Sequence, residues 1–528
     1  MNLIENPILK GFNPDPSVLR VGEDYYIATS TFEWFPGVMI YHSRDLKNWE
    51  FIKSPLDRVS QLDMHGVPNS CGVFAPCLTY DNNKFYLIYT IVRTASCFQD
   101  THNYLVTADN ITGNWSEPIY LNSTGFDPSL FHDEDGRKWI VNRDCDTRGY
   151  QAVTGGILMR EYDVEQKKLV GEEYRIFRTT GIIGAEGPHI YRRNGYYYLM
   201  LAEGGTDFNH VVSMARSKSI FGPYEIDPCN PMLSSRDNPY NPLQKAGHAS
   251  YVETQNGECY IAHLVGRPLS KKGRCILGRE TAIQKVVWRD DGWLRLENGF
   301  FEPGVYVPAS DLPEFKFQKL PVRDNFEYEI LGYPYQTMRI PLGEDIVTLK
   351  ERKGFLRIYG RDSLHSKYTQ ALIARRQQAF CYTASTCMEY RPQNYHQMAG
   401  LICLYDTDNF FYLYVTHHEN NGKSLNIMVS DLGKVSYPLG SGISIEETKA
   451  IYLRANVCND QLYFSYAVGE EEYHKIDQCF DYSILSDDYY IEKGEYRFTG
   501  SFIGLCCQDC YEHQSFADFD FFEYREDI

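Results

Sequence analysis

Asp15-Pro16-Ser17-Val18-Leu19, running on to Tyr25-Tyr26-Ile27, decides the reading of the fold, because it returns. Ala75-Pro76-Cys77-Leu78-Thr79-Tyr80 leads to Phe85-Tyr86-Leu87, and Asp127-Pro128-Ser129-Leu130-Phe131 leads to Lys138-Trp139-Ile140. Glu186-Gly187-Pro188-His189-Ile190 leads to Tyr196-Tyr197-Tyr198, and Gly247-His248-Ala249-Ser250-Tyr251 to Cys259-Tyr260-Ile261. Each copy is a buried β run, a polar turn and an aromatic return, which is the pattern of a hairpin. The turns include Gly22-Glu23-Asp24, Asp81-Asn82-Asn83, Asp133-Glu134-Asp135-Gly136, Asn194-Gly195 and Asn256-Gly257. Five starts spaced 52 to 62 residues apart fit four-stranded sheets with generous loops, so a five-bladed β-propeller is expected. No sustained amphipathic helix competes.

The first strand of each propeller blade lines the central channel, so equivalent positions converge on the axis. Taken as equivalents, Asp15, Ala75, Asp127, Glu186 and His248 put four polar or ionisable side chains beside strongly apolar strands. Packing does not ask for three carboxylates there, since unpaired charges close together and away from water are costly. A single Asp-Pro-Ser unit reads as a capped turn with a solvated Asp. Recurrence in register is what turns it into a candidate site. Hydrolysis of a glycosidic bond needs an acid for the leaving oxygen and a carboxylate acting on water or on the sugar. A third carboxylate can raise the acid's pKa and orient it. Residue type and position make Asp15 the general base, Glu186 the general acid and Asp127 the modulator, although residues alone do not fix that order.

A proline-bearing stretch with Pro303, Pro308, Pro313 and Pro321 ends the repeat. The expected domains are a propeller over 1–305, a linker over 306–323 and a second domain over 324–528. Its short alternating runs, among them Phe380-Ser385, Gln397-Tyr405, Phe410-Thr416 and Ile451-Ala455, imply a β-sandwich, and the fold class is all-β. With 52 basic and 70 acidic residues the chain carries a net charge of −18, which opposes a phosphate backbone and excludes nucleic acid as a partner. No apolar run is long enough to span a bilayer, so no membrane partner is expected. The start, Met1-Asn2-Leu3-Ile4-Glu5, lacks the basic and apolar regions of a secretory signal, and a cytoplasmic location is expected. Fifteen scattered cysteines fit reduced thiols better than a disulfide scaffold, and the Cys507/Cys510 pair lacks the partners of a zinc site.

The chain resembles the family 43 glycoside hydrolases, and within them the two-domain β-xylosidases, over nearly its whole length. The resemblance rests on Gly11-Phe12-Asn13-Pro14-Asp15-Pro16-Ser17, Ser30-Thr31-Phe32-Glu33-Trp34-Phe35-Pro36-Gly37, Asp100-Thr101-His102-Asn103-Tyr104 and Phe126-Asp127-Pro128-Ser129-Leu130. Ala185-Glu186-Gly187-Pro188-His189, Lys245-Ala246-Gly247-His248 and Leu277-Gly278-Arg279-Glu280-Thr281 complete it. It implies an inverting reaction in which Asp15 activates water, Glu186 protonates the leaving group and Asp127 tunes Glu186. It also implies that Arg279 holds sugar hydroxyls, with an ion pair to Glu280 as the plainer alternative. His248 would organise the channel, facing water or a calcium ion; no cofactor is required. Phe32 resembles a subsite wall, and Arg497-Phe498-Thr499-Gly500-Ser501-Phe502 resembles the sandwich segment that delivers Phe502 to a pocket closed by the second domain. Two positions depart from the family pattern: Phe74 and Cys145 stand where relatives commonly have tryptophan, which removes a sugar-stacking indole at Cys145.

The expected function is an exo-acting β-1,4-xylosidase that trims short xylo-oligosaccharides from the non-reducing end. An α-L-arabinofuranosidase acting on arabinosyl substrates is the nearer alternative, suggested by Phe74 and Cys145. A non-catalytic carbohydrate-binding propeller is the more distant one. A homo-oligomer is expected, as for many large β proteins.

Overall fold

The computed structural model describes residues 2–95, 99–148, 155–445, 449–469 and 472–527. It divides into two units, one of residues 1–63, 71–272 and 279–317, the other of 64–70, 273–278 and 318–528. Two short stretches inside the span 1–305 therefore belong to the second unit.

Five antiparallel sheets form the first unit. Their innermost strands are Ser17–Val21, Gly72–Asp81, Ser129–His132, Glu186–Arg193 and Gln244–Glu253. Further strands follow each of these outward in simple succession, and the fourth sheet also carries Leu233–Ser234 on Val211–Ser217. Each innermost strand adjoins the next, and the fifth adjoins the first, which closes a five-bladed propeller. Apolar faces pack between blades: Ile88 and Leu105 of the second meet Leu130 and Ile140 of the third. Val141 and Met159 of the third meet Leu199 and Leu201 of the fourth. The serine of the repeat stitches neighbouring strands together, since the Ser17 hydroxyl accepts from the Leu78 N–H at 3.0 Å and the Ser129 hydroxyl donates to the Pro188 carbonyl at 2.5 Å. Ser250 does both toward the first blade, accepting from Val18 N–H at 2.9 Å and donating to Pro16 at 2.7 Å.

The chain start fastens the ring to its end. Leu3–Glu5 pairs with Tyr306–Pro308, so the first residues of the expected linker are a strand. Asn6, buried, donates from Nδ2 to the carbonyls of Ile283 at 2.8 Å and Gly304 at 2.9 Å, and accepts the Ile283 N–H at 2.8 Å. Asn13 N–H then donates to the Arg279 carbonyl at 2.9 Å, which brings the segment before Asp15 beside Arg279.

One expectation about register is corrected. Asp15, Ala75, Asp127 and His248 have φ of 56°, 25°, 53° and 49°, and the matching residue of the fourth blade is Gly187 with φ 55°, not Glu186. The left-handed residue sits at a bulge where the innermost strand slips register against its neighbour, seen at Phe74/Cys77 and Glu186/His189. Glycine is needed in the fourth blade because a Cβ on Gly187 would lie 2.9 Å from Nε2 of His248. Glu186 therefore shares its position with Phe74 and Phe126, one residue before the bulge.

The second unit contains two antiparallel sheets. One is built around Cys381–Tyr390, Ile451–Cys458, Gln461–Val468 and Phe516–Glu526, the other around Gln397–Leu404, Phe410–His418, Gly422–Asp431 and Phe502–Asp509. A six-residue helix, Asp487–Glu492, starts at Ser486, whose hydroxyl caps Tyr489 N–H. Cys381 and Cys458, directly paired across neighbouring strands, form a disulfide that the reading of wholly reduced thiols did not anticipate. Cys97 lies outside the described residues, and the other twelve cysteines are free.

Candidate active site

Asp15 is buried just before the innermost strand of the first blade, and its carboxylate is held from three sides. Ser30 Oγ donates to Oδ2 at 2.6 Å, Arg279 NH1 donates to Oδ1 at 3.3 Å, and His248 Nδ1 stands 3.6 Å from Oδ1. Arg279 also donates to Thr206 Oγ1 at 3.2 Å. The alternative pairing of Arg279 with Glu280 is not seen. Glu280 is gripped by Arg267, Nε to Oε2 at 2.6 Å and NH2 to Oε1 at 2.9 Å, and accepts Gly11 N–H at 2.8 Å. The two adjacent residues point to opposite faces of the Arg279–Trp288 strand, as strand alternation requires.

Asp127, 7% exposed, takes the Gly187 N–H on Oδ2 at 3.1 Å, so it is tied to the residue next to Glu186. Burial, joined by the Glu186 and Asp15 charges and opposed by His248 and Arg143, pushes its carboxyl up to about 7. Glu186 opens the innermost strand of the fourth blade and accepts from Arg143 NH1 on Oε2. The structure thus brings Asp15, Asp127, Glu186, Arg279 and His248 into one neighbourhood.

Aromatic rings line the same site. Phe12, Phe32, Phe74 and Phe126 follow one another with centroids 5.7, 4.5 and 6.2 Å apart. Arg279 stacks on Phe32 at 5.0 Å at one end of the row, and Arg143 on Phe126 at 4.8 Å at the other. Beneath the second end a ladder of amides runs from Thr90 Oγ1 to Asn103 at 2.6 Å, Asn103 to Asn122 at 2.7 Å, and Asn122 to Asn142 at 3.3 Å. It fixes the turn at Gly125, where a Cβ would fall 1.8 Å from the Arg143 carbonyl. Cys145 follows, its thiol pushed up to about 11 by burial and so kept protonated. Phe502 belongs to the second unit, fully buried in the Phe502–Asp509 strand, where it pairs with Arg376 and Leu404.

Arg143 is the side chain at the site that reading the sequence missed. No motif marks it. The available signal was a guanidinium ending the buried run Trp139-Ile140-Val141-Asn142, two residues before the noted departure at Cys145. Calcium takes six to eight oxygen ligands. Among the described residues no group of three or more His, Cys, Asp or Glu side chains could hold a metal ion, so no step is routed through one.

Carboxylates carried by non-neighbouring blades, one oriented by a cation and a hydroxyl and another by a second cation, are the equipment of a glycosidase. Comparison with known proteins specifies which kind. The model of glycosyl hydrolases family 43 matches residues 4–294, and that of the β-xylosidase C-terminal concanavalin A-like domain matches residues 323–525. A β-xylosidase of Bacillus subtilis (strain 168) is 48% identical over 534 residues, covering 99% of both chains. A xylosidase/arabinosidase 43B of Humicola insolens is 47% identical, covering 99% of this chain and 98% of its own. The crystal structure of a xylan β-1,4-xylosidase from Bacillus halodurans C-125 superimposes with a TM-score of 0.97 at 51% identity, covering 99% of this chain and 100% of that one. The chain belongs to glycosyl hydrolase family 43 and is a glycoside hydrolase.

Proposed function

We propose that the chain is an inverting, exo-acting β-1,4-xylosidase that releases xylose from the non-reducing end of short xylo-oligosaccharides. The observation that carries the reading is the unlike treatment of its carboxylates. Asp15 accepts from Ser30 and Arg279, with His248 close by, as suits a base aimed at water. Glu186 lies in another blade beside a carboxyl, Asp127, whose proton is lost only near neutrality. In the reaction Asp15 takes a proton from water, the water oxygen bonds to the anomeric carbon, and Glu186 gives its proton to the departing oxygen. Asp127 holds the backbone beside Glu186 through the Gly187 N–H and serves as the modulator of the acid. Arg279 and Thr206 offer donors to sugar hydroxyls, the Phe32 and Phe74 rings form the wall, and His248 keeps Asp15 in place.

The names of the Bacillus relatives support xylose as the sugar released. An arabinofuranosidase side activity is supported by the name of the Humicola relative and by the missing indole at Cys145. Nitrophenyl β-D-xyloside and nitrophenyl α-L-arabinofuranoside at equal concentration separate the two; faster cleavage of the arabinoside would displace the xylosidase reading. Glu186→Gln is expected to abolish xylobiose hydrolysis, and wild-type rates in that variant would remove Glu186 from the acid's role. The free cysteines favour a cytoplasmic location, where imported short oligomers are the available substrate. Among the described residues no helix is long and apolar enough to cross a membrane. A homo-oligomer is part of the proposal, tested by sedimentation velocity.

A further inference from the structure

Arg143 has no part in the reaction as proposed, yet it sits on the residue that must act as acid. Its NH1 donates to Oε2 of Glu186, and no other described carboxylate is ion-paired with it. A guanidinium stays charged throughout and favours the ionised form of a neighbouring carboxylate. The pair opposes delivery of a proton by Glu186 to the leaving oxygen, and opening it favours that step. A guanidinium that leaves its counter-charge in a partly buried site needs another anion, because an uncompensated charge there is costly.

The neighbouring carboxylates are already engaged. Asp144 accepts from Arg175 at 2.6 Å, Asp146 from Arg148 at 2.6 Å, and Asp15 from Ser30 and Arg279, while Asp127, which also feels Arg143, accepts Gly187 N–H and is pushed up to about 7 by burial, so it is the weaker counter-anion. A carboxylate on the substrate is the stronger alternative. The Arg143 side chain is 29% exposed against 12% for Glu186, so it is the more accessible half of the pair. It lies at the Phe126 end of the aromatic row, the end of the acid, and the acid serves the leaving group.

We propose that Arg143 is a specificity-determining residue that binds a carboxylate carried by the leaving sugar, so that the preferred substrates are xylo-oligosaccharides substituted with a uronic acid. The substrate carboxylate takes over the guanidinium in a planar, two-bond pairing, which frees the Glu186 carboxyl to face the leaving oxygen. The inference rests on the assignment of Glu186 as acid in the xylosidase reading.

The test uses the full chain and three substrates: xylobiose, xylobiose bearing a glucuronosyl group on its reducing-end xylose, and the methyl ester of that compound, which keeps the shape and removes the charge. Wild type is expected to favour the acid over the ester by about tenfold or more in kcat/KM. Arg143→Met is expected to bring that ratio to about one, and Arg143→Lys to restore it only in part, since an ammonium cannot form the two-bond fork. Equal kcat/KM for acid and ester in wild type, with xylobiose cleaved, overturns the inference and leaves the xylosidase reading standing. A ratio unchanged in Arg143→Met also overturns it. No turnover of any of the three by wild type is instead a failure of the xylosidase reading. Should Arg143→Met fail to fold, raising the salt concentration on wild type replaces it: the acid-to-ester ratio falls with salt if Arg143 acts through charge, and a constant ratio counts against it.

Discussion

Asp127 shows the cost of gathering carboxyl groups out of water. Its carboxyl, moved from 3.8 to about 7, binds a proton more tightly in the folded chain than in the unfolded one. The stabilising contribution of that proton is complete below about pH 3.8 and is lost as pH rises through 7, at a cost of up to ~4 kcal/mol. Asp127→Asn, which keeps an acceptor for the Gly187 N–H and cannot ionise, should therefore unfold at a higher temperature than wild type at pH 8. The gap should close toward pH 4; equal melting temperatures at both pH values would contradict the raised carboxyl. Activity of the same variant should fall, because Glu186 loses its modulator. At this scale the sequence was informative where chemistry is written in residue type. Asp15, Asp127 and Glu186 stood out by residue type, Arg279 entered through the family resemblance, and the structure gathers all four in one neighbourhood. It was silent at Arg143, because nothing in a single chain distinguishes a guanidinium stacked on Phe126 from one that points to solvent.

Strands and turns carried more of their signal locally. The hairpins of every blade, and the Ile451–Cys458 and Gln461–Val468 pair about Asn459, follow from alternation and turn residues. Register at the bulge did not, since Asp-Pro-Ser and Glu-Gly-Pro align by eye one residue away from where the left-handed backbone places them. The distinction matters: it puts Glu186 at the wall position of Phe74 and Phe126, not at that of Asp15 and Asp127. The pairing of Leu3–Glu5 with Tyr306–Pro308 was illegible as well, because its partners are about 300 residues apart in sequence. Asn6 fastens that closure. Asn6→Ala leaves an amide N–H and two carbonyls without their buried partner, and a loss of about 2–3 kcal/mol is expected. Thermal unfolding measures it; a change below 0.5 °C would show that the clasp is dispensable.

At the scale of the molecule, the units are not the consecutive blocks that composition suggests. Residues 64–70 and 273–278 interrupt the propeller's chain and find their partners in the second unit. Gly66 N–H donates to the Lys367 carbonyl at 2.7 Å, Arg339 Nε donates to the Val67 carbonyl at 2.7 Å, and Cys275 N–H donates to Asp488 Oδ2 at 2.8 Å. A chain ending at residue 317 strips all three of these. Such a fragment is expected to be poorly soluble and to melt well below the full chain, as differential scanning calorimetry would show; a soluble fragment with an unchanged transition would make the propeller an independent folding unit. The proline-rich stretch thus marks a change of architecture without marking a place to cut.

The clasp between the chain start and the fifth blade also sets an order in time. Asp15 and Arg279, which orients it, are 264 residues apart, so the base leaves the ribosome well before its partner. At roughly 5–20 residues per second the future base waits from about a quarter of a minute to nearly a minute for its partner. Throughout that interval the nascent chain carries the Asp-Pro-Ser sequence but cannot complete the site, so activity on the ribosome should begin only once the fifth blade has emerged.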